Sequence, residues 1–402
     1  MAHHIVIGGG QAAASLVAKL RSTGFEGDIT VIGAEPVPPY QRPPLSKAYL
    51  LGDMTLDRIV LRPEQWYADN DITLRMGVRV AEVDSHYKTL RLDSGEVLTY
   101  DKLALTTGSH PRTLPAAIGG TLDGVYTVRD LRDADAMAPE FREGARLLVI
   151  GGGYIGLEAA AVAARKGVKV TLVEMADRIL QRVACPETSA YFRDLHRQHG
   201  VDIREGVGLQ ELTGTDRVKG AVLTDDTELE VDFAIVGVGI QPATALAEGA
   251  GLMVDNGIVT DRRCRTSDPD IYAAGDCATC DFKGQRIRLE SVGNAIDMAE
   301  VAAQNMAGGD VAYDPKPWFW SDQYDCKLQI AGLNLGYDAV HVRDGGEARS
   351  HWYYKGDDLI AVDAMNDART YMVAKRLIEA GKSPAPEVVT DLETDMKALV
   401  KA

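Results

Sequence analysis

The chain has 402 residues, 46% hydrophobic and 25% charged, with a formal net charge of −16. This composition suits two or three buried cores and excludes a disordered chain, and the acidity argues against nucleic acid or an anionic membrane as the main partner, since both reward clustered positive charge. Five unevenly spaced cysteines give no disulfide framework, which points to a reducing cytoplasm.

His3 to Ile7 reads as an apolar strand, with its paired histidines as ordinary strand residues. It starts so near the first residue that no leader segment is expected. Gly8-Gly9-Gly10-Gln11-Ala12-Ala13 follows as a turn, then a helix to Thr23, a stop at Gly24, a strand from Asp28 to Ile32, and Glu35. Pro36 to Pro44 is a proline-rich loop, Asp71 to Leu98 reads as short strands, and Tyr100 to Thr107 as a buried strand ending at Gly108. About 140 residues after the first copy the design repeats. Arg146 to Ile150 is strand, Gly151-Gly152-Gly153-Tyr154-Ile155-Gly156 turn, Leu157 to Lys166 helix, Gly167 stop, Val168 to Val173 strand, and Glu174 the acid. The most apolar long stretch, Leu147 to Ala164, holds four glycines and Glu158, so no membrane span is expected. Ser109 to Pro115 and Gly237 to Pro242 look like crossings between domains. From Pro315 an aromatic composition with alternating character suggests an antiparallel sheet.

Two glycine turns, each between strand and helix and each followed roughly 20 residues later by an acid, mark two dinucleotide sites. In each, the first glycine (Gly8, Gly151) makes the tight turn, the next (Gly10, Gly153) lets backbone approach a diphosphate, and a small third residue (Ala13, Gly156) lets helix pack on strand. The helix N-terminus then offers free N–H groups to the phosphates. Glu35 and Glu174 are placed to accept from adenosine ribose hydroxyls, and a carboxylate at Glu174 favours NADH over NADPH, with Arg178 and Arg182 nearby as opposing signals. The fold class is α/β, two Rossmann-like domains plus a C-terminal α+β domain.

With both turns placed, Tyr40-Gln41-Arg42-Pro43-Pro44-Leu45-Ser46-Lys47, Thr106-Thr107-Gly108, Leu157-Glu158, Tyr272-Ala273-Ala274-Gly275-Asp276 and Glu290-Ser291-Val292 make the chain resemble the FAD-dependent ferredoxin reductases that serve bacterial cytochrome P450s and aromatic-ring oxygenases, flavoproteins of the glutathione reductase type. The resemblance spans nearly the whole chain. It implies FAD at the first turn and NAD(H) at the second, with an FAD domain at 1–109 and 241–314, an NAD domain at 110–240 and a C-terminal domain at 315–402. It implies that Asp276 holds the ribityl chain, that Arg42 and Lys47 border the diphosphate and the isoalloxazine, and that Val292 offers backbone N–H to the flavin. Val80, Thr107 and Gly108 are added on the FAD side, and Tyr154, Ile155 and Gly239 on the NAD side. Lys47, Glu158 and Trp320 are the residues expected to act in the reaction. Glu158, in the first turn of an otherwise apolar helix, needs a partner if buried, and Lys47 is the candidate; relatives place such a pair beside flavin N5. Trp320 is expected near the edge where electrons leave.

The resemblance implies hydride transfer from NADH to FAD and then single electrons to a [2Fe-2S] ferredoxin, in a transient complex. Lys283, Arg286 and Arg288 are candidates for its docking surface. A rubredoxin reductase would share every motif, a quinone reductase would want a basic amphipathic tail, and a DNA-binding flavoprotein would want a basic run that is missing. The first helix has no cysteine pair of the glutathione reductase kind. Cys277-Ala278-Thr279-Cys280 reads like a redox motif, but it follows Gly275-Asp276 of the FAD region and is taken as buried packing rather than a dithiol. No metal site is expected, and monomer and dimer stay open.

Overall fold

The computed structural model describes residues 1–401 and divides into two compact units. The first comprises Met1–Arg42, Thr55–His110 and Ile240–Pro317. Its centre is a five-stranded parallel sheet in the order Ile271–Ala273, Lys102–Leu105, His3–Ile7, Asp28–Gly33, Ile72–Met76. Strands buried on both faces read as unbroken apolar runs, as Ile5-Val6-Ile7 and Leu103-Ala104-Leu105 do here. The helix Gln11–Ser22 packs against the helix Val292–Met306. The contact is close because its residues are small: a side chain on Gly275, at φ +84°, would stand 3.3 Å from the Ala12 methyl and 3.7 Å from that of Ala295.

The second unit takes Pro111–Gly239, the chain from Trp318 onward, and Pro43–Met54. A second parallel sheet runs Asp202–Glu205, Lys169–Glu174, Arg146–Ile150, Phe233–Val236, Val125–Tyr126. The C-terminal region is an antiparallel sheet, in the order Trp318–Gln323, Cys326–Gly332, Asp358–Met365, Ala348–Lys355, Ala339–Gly345, with the helix Ala368–Glu379 packed on it. The sequence pattern places residues 43–54 with the first glycine turn and separates 110–240 from 315–402. In the structure Pro43–Met54 sits with the second unit because the turn Pro43–Ser46 packs on the helix Tyr154–Arg165 and buries Leu45.

That helix begins at Tyr154, one turn earlier than the sequence indicated, and is buried from Gly156 to Ala163. It lies against its own sheet and also against Trp318–Gln323 of the antiparallel sheet, which explains its lack of a polar face. Among the described residues, no helix is long and apolar enough to cross a membrane.

The C-terminal core is organised around Trp352, which is fully buried and donates from Nε1 to Ser350 Oγ at 3.0 Å. Trp352→Ala is expected to cost about 3–5 kcal/mol through the cavity it leaves, measured as a lowered midpoint in urea.

Candidate functional site

Each glycine turn is fixed by backbone crowding on one side and open on the other. A side chain on Gly8 would lie 2.2 Å from Thr106 O, and one on Gly151 2.5 Å from Gly237 O, so both positions must stay bare. Gly10 and Gly153 meet nothing within 4 Å. The backbone is therefore pinned from behind and approachable in front, the arrangement a diphosphate requires. Ala13 and Gly156 are buried at the helix–strand contact.

The two helices that follow start without a side-chain cap and with no acid in their first turn. By contrast, the helices starting at Leu131, Val292 and Ala368 are capped by Asp130, Ser291 and Asp367. Uncapped first-turn N–H groups and the positive dipole end suit an anionic group, so both turns fit a dinucleotide diphosphate.

The acids at the strand ends behave differently. Glu35 accepts from Tyr40 Oη at 2.5 Å and from Arg42 Nη2 at 2.5 Å, while the Arg42 guanidinium stands 5.2 Å from the Tyr40 ring centre. Arg42, expected to border the diphosphate, thus meets the acid expected to bind a ribose. Glu174 accepts from the backbone N–H of Gly152 at 2.7 Å and of Ala176 at 2.8 Å, which ties it to its own glycine turn. Of the two arginines that follow, Arg178 is turned inward, donating to Ser189 Oγ at 2.5 Å and to Cys185 O at 3.3 Å. Arg182 stays by Gly239, whose φ is +103° and whose carbonyl accepts from Arg112 N–H at 2.9 Å. Ile155 stands exposed at the first helical turn, and Tyr154 packs its ring at a tilt of 36° against that of Phe319, centres 4.9 Å apart, with its hydroxyl buried and unpartnered.

In the first unit, Thr107 Oγ1 donates to Ala243 O at 2.7 Å and Ala243 N–H returns to Gly108 O at 2.9 Å, so this pair anchors the returning chain. Asp276 accepts from Ser109 Oγ at 2.9 Å. Val292 is the first residue of its helix, behind the Ser291 cap, and Val80 begins the strand Val80–Asp84. Arg288, expected on a docking surface, is a correction: its side chain is 9% exposed, pairs with Glu290 at 2.7 Å and donates to Asp276 O at 3.2 Å. The hairpin folds it back as a structural tie, which leaves Lys283 and Arg286 exposed.

Lys47 and Glu158 meet in the second unit, Nζ to Oε1, at 2.9 Å. Glu158 lies a full turn into its helix, so the dipole does not satisfy it. Two serines complete the site, Ser46 from within the Tyr40–Lys47 motif, where no role is assigned to it, and Ser321 from outside every motif: Ser46 Oγ donates to Oε2 at 2.8 Å and Ser321 Oγ to Oε1 at 2.7 Å. Burial pushes the Glu158 pKa up, and Lys47, Ser321 and Ser46 oppose that push. Trp320 lies beside them, its ring centre 5.9 Å from Lys47 Nζ and stacked at 5.5 Å on Trp318.

Thiol chemistry has little support. All five cysteines are buried and free, and burial holds the Cys277 thiol above its usual range and that of Cys280 at about 11. Cys185, His351 and Asp363 cluster tightly enough to suggest a metal site. Thr188 Oγ1 sits among them instead, 2.7 Å from His351 Nδ1 and 2.7 Å from Asp363 Oδ2, and makes the cluster a hydrogen-bonded knot.

The sequence profile described as pyridine nucleotide-disulphide oxidoreductase matches residues 2–302, and that described as reductase C-terminal matches 318–400. The ferredoxin reductase subunit of 5,5'-dehydrodivanillate O-demethylase from a Sphingobium species is 42% identical, over 99% of this chain and 98% of its own. The rubredoxin-NAD(+) reductase of Pseudomonas putida is 35% identical over 90% of this chain and 95% of its own. Among solved structures, the reductase in the covalent putidaredoxin reductase–putidaredoxin complex superposes with a TM-score of 0.96 at 38% identity, covering 100% of this chain and 98% of that one.

Removing Lys47 strands a buried carboxylate. Lys47→Ala is expected to cost about 3–5 kcal/mol at pH 8. The loss should shrink at pH 5, because an acid whose folded pKa is raised binds its proton more tightly folded than unfolded and so gains stability as pH falls. Urea unfolding at the two pH values measures both.

Proposed function

The chain belongs to the pyridine nucleotide-disulphide oxidoreductase family, and on that premise we propose that it is an NADH-dependent, FAD-containing ferredoxin reductase working in the cytoplasm. The observation that carries the reading is the duplicated, uncapped glycine turn, together with the buried Lys47–Glu158 pair on the helix that the second turn opens. Bound FAD would supply the conversion of the electron pair of one hydride from NADH into single electrons for a [2Fe-2S] protein.

The residues have separable tasks. Gly8, Gly10 and Ala13 shape the FAD diphosphate seat, and Glu35, held by Tyr40 and Arg42, keeps acceptor capacity for the ribose. Thr107, Gly108, Asp276, Val80 and the Val292 N–H line the remainder of the flavin side. Gly151, Gly153, Tyr154, Ile155, Gly156 and Gly239 do the corresponding work for NADH. Glu174 favours NADH because a ribose phosphate would meet its charge, and the inward turn of Arg178 removes one possible counter-charge. Lys47 and Glu158 orient the nicotinamide and hold charge fixed while the hydride moves. Trp320 lies on the route by which electrons leave.

A rubredoxin acceptor is the second reading, favoured by the 35% identical relative that carries that name. Ferredoxin is preferred because the 42% identical relative and the 0.96 superposition are both ferredoxin-partnered proteins.

Bound flavin should bleach when NADH is added without oxygen, and turnover should follow a [2Fe-2S] ferredoxin in preference to a rubredoxin, a quinone or a disulfide. A flavin that stays yellow under NADH rejects the proposal. With Lys283 and Arg286 both changed to Glu, turnover with ferredoxin should fall by about tenfold while ferricyanide reduction is kept. Glu174→Ser should lower kcat/KM for NADH and raise it for NADPH, each by roughly tenfold.

A further inference from the structure

Glu158 stands at one end of a buried polar chain that runs through two further elements. Ser321 Oγ lies 2.7 Å from Glu158 Oε1, Gln323 Nε2 lies 3.1 Å from Ser321 Oγ, His196 Nε2 lies 2.8 Å from Gln323 Oε1, and Tyr324 Oη lies 3.1 Å from His196 Nδ1. Ser321 and Gln323 share one face of the strand Trp318–Gln323, and His196 comes from the helix Pro186–Gln198. Glu158, Ser321, Gln323 and His196 are all buried.

One condition sets the direction of every link. An ionised carboxylate holds no hydrogen, so the proton in its contact with Ser321 is the serine's own. Ser321 Oγ must then accept from Gln323, which turns the amide nitrogen toward the serine and the amide oxygen toward His196. That oxygen needs a donor, so His196 carries its proton on Nε2. Nδ1 is left as an acceptor, and the Tyr324 hydroxyl fills it. Four donors point the same way, toward Glu158, and hydrogen bonds aligned in this manner polarise one another.

We infer that Gln323 and His196 are positioning residues for the hydride step, which act through Ser321 to keep Glu158 ionised and aimed at Lys47. The inference rests on the reading of Lys47–Glu158 given above. The chain is not a proton wire, because the amide in its middle cannot pass a proton on while keeping its amide form. Lys47 is the cation facing Glu158, and His196 faces Tyr324 and His199, whose rings stack at 3.6 Å. Burial, with a smaller push from His199, depresses the His196 pKa to about 4, so the imidazole stays neutral and brings no competing positive charge. A His–Gln pair that merely fills the core would account for its own hydrogen bonds but would have no consequence at Glu158.

The FAD-loaded enzyme tests this in two ways. Nitrogen NMR of histidine-labelled protein at pH 7 should find His196 neutral with its proton on Nε2, and Ser321→Ala should give a mixture of tautomers. A proton on Nδ1 in the wild type, or a tautomer that Ser321→Ala leaves unmoved, overturns the inference. In stopped-flow reduction by NADH, Gln323→Met should move the acid limb of the pH profile up by about one unit, with the rate on that limb down about tenfold and the plateau at higher pH kept. Ser321→Ala should move it further, and Ser321→Thr should restore it. If Gln323→Met does not fold, Tyr324→Phe carries the test, with a shift in the same direction of about twofold in rate on the acid limb. An unmoved profile beside a slow Glu158→Gln enzyme overturns this inference alone. A Glu158→Gln enzyme that reduces its flavin at the wild-type rate overturns the reading of the pair, and the positioning role with it, whatever the tautomer of His196.

Discussion

A charge buried on a helix must be compensated by other parts of the chain, and Glu158 recruits two of them. Lys47 and Ser46 come from the short segment after the proline-rich loop, and Ser321 comes from the first strand of the antiparallel sheet. Without those donors the carboxylate would take up a proton or the helix would lose its burial, since a lone ion in an apolar setting costs several kcal/mol (about 3–5 when one partner is lost). The same requirement explains why Pro43–Met54 leaves the unit of its sequence neighbours. Its affiliation follows the ion pair and the packing of Leu45 rather than chain proximity.

The glycine turns rest on a different constraint, and the chain uses it twice. Carbonyl oxygens behind Gly8 and Gly151 forbid a side chain, while the opposite faces at Gly10 and Gly153 are open. Recognition of a diphosphate is therefore a backbone property, indifferent to most side chains nearby. The acids that complete each turn are less alike than their spacing implies. Glu174 is bonded to the turn itself, whereas Glu35 is bonded to Tyr40 and Arg42, so the first acid reports on an adjacent loop and the second on its own turn.

What could be read from the sequence follows from range. Strand, glycine turn, helix and acid are set by neighbours within about 30 residues, and both copies stand where the pattern put them, apart from the earlier start of each helix, at Gln11 and at Tyr154. The Lys47–Glu158 contact was legible only because a buried acid demands a partner and the resemblance named one. Ser321 and Gln323 carried no such signal: on an alternating strand, polar residues two apart read as the wet face, yet both are buried against a helix that the strand pattern cannot reveal. Arg288 failed for the opposite reason, since charge in a hairpin suggests solvent until Glu290 and the Asp276 carbonyl are seen to hold it in place. His196, Thr188 and His351 were invisible because their partners lie more than 100 residues away.

The family name includes a disulphide, and that part of the chemistry does not carry over to this chain. A dithiol centre needs an accessible thiolate, favoured by nearby positive charge or a helix N-terminus. Cys277 instead points its thiol at the carbonyls of Leu105 and Ala274, and Cys280 lies within a strand. Both are held protonated by burial. The helix after the first glycine turn carries alanines at its packed face and no cysteine. Neither thiol is placed as an accessible thiolate. What the second unit offers beside the Lys47–Glu158 pair is the stacked Trp318 and Trp320 at the head of the antiparallel sheet, a feature of the reductase C-terminal region. The matched family thus carries a disulphide in its name, while this chain sets a stacked tryptophan pair, at the start of the region that matches the reductase C-terminal profile, beside its buried ion pair.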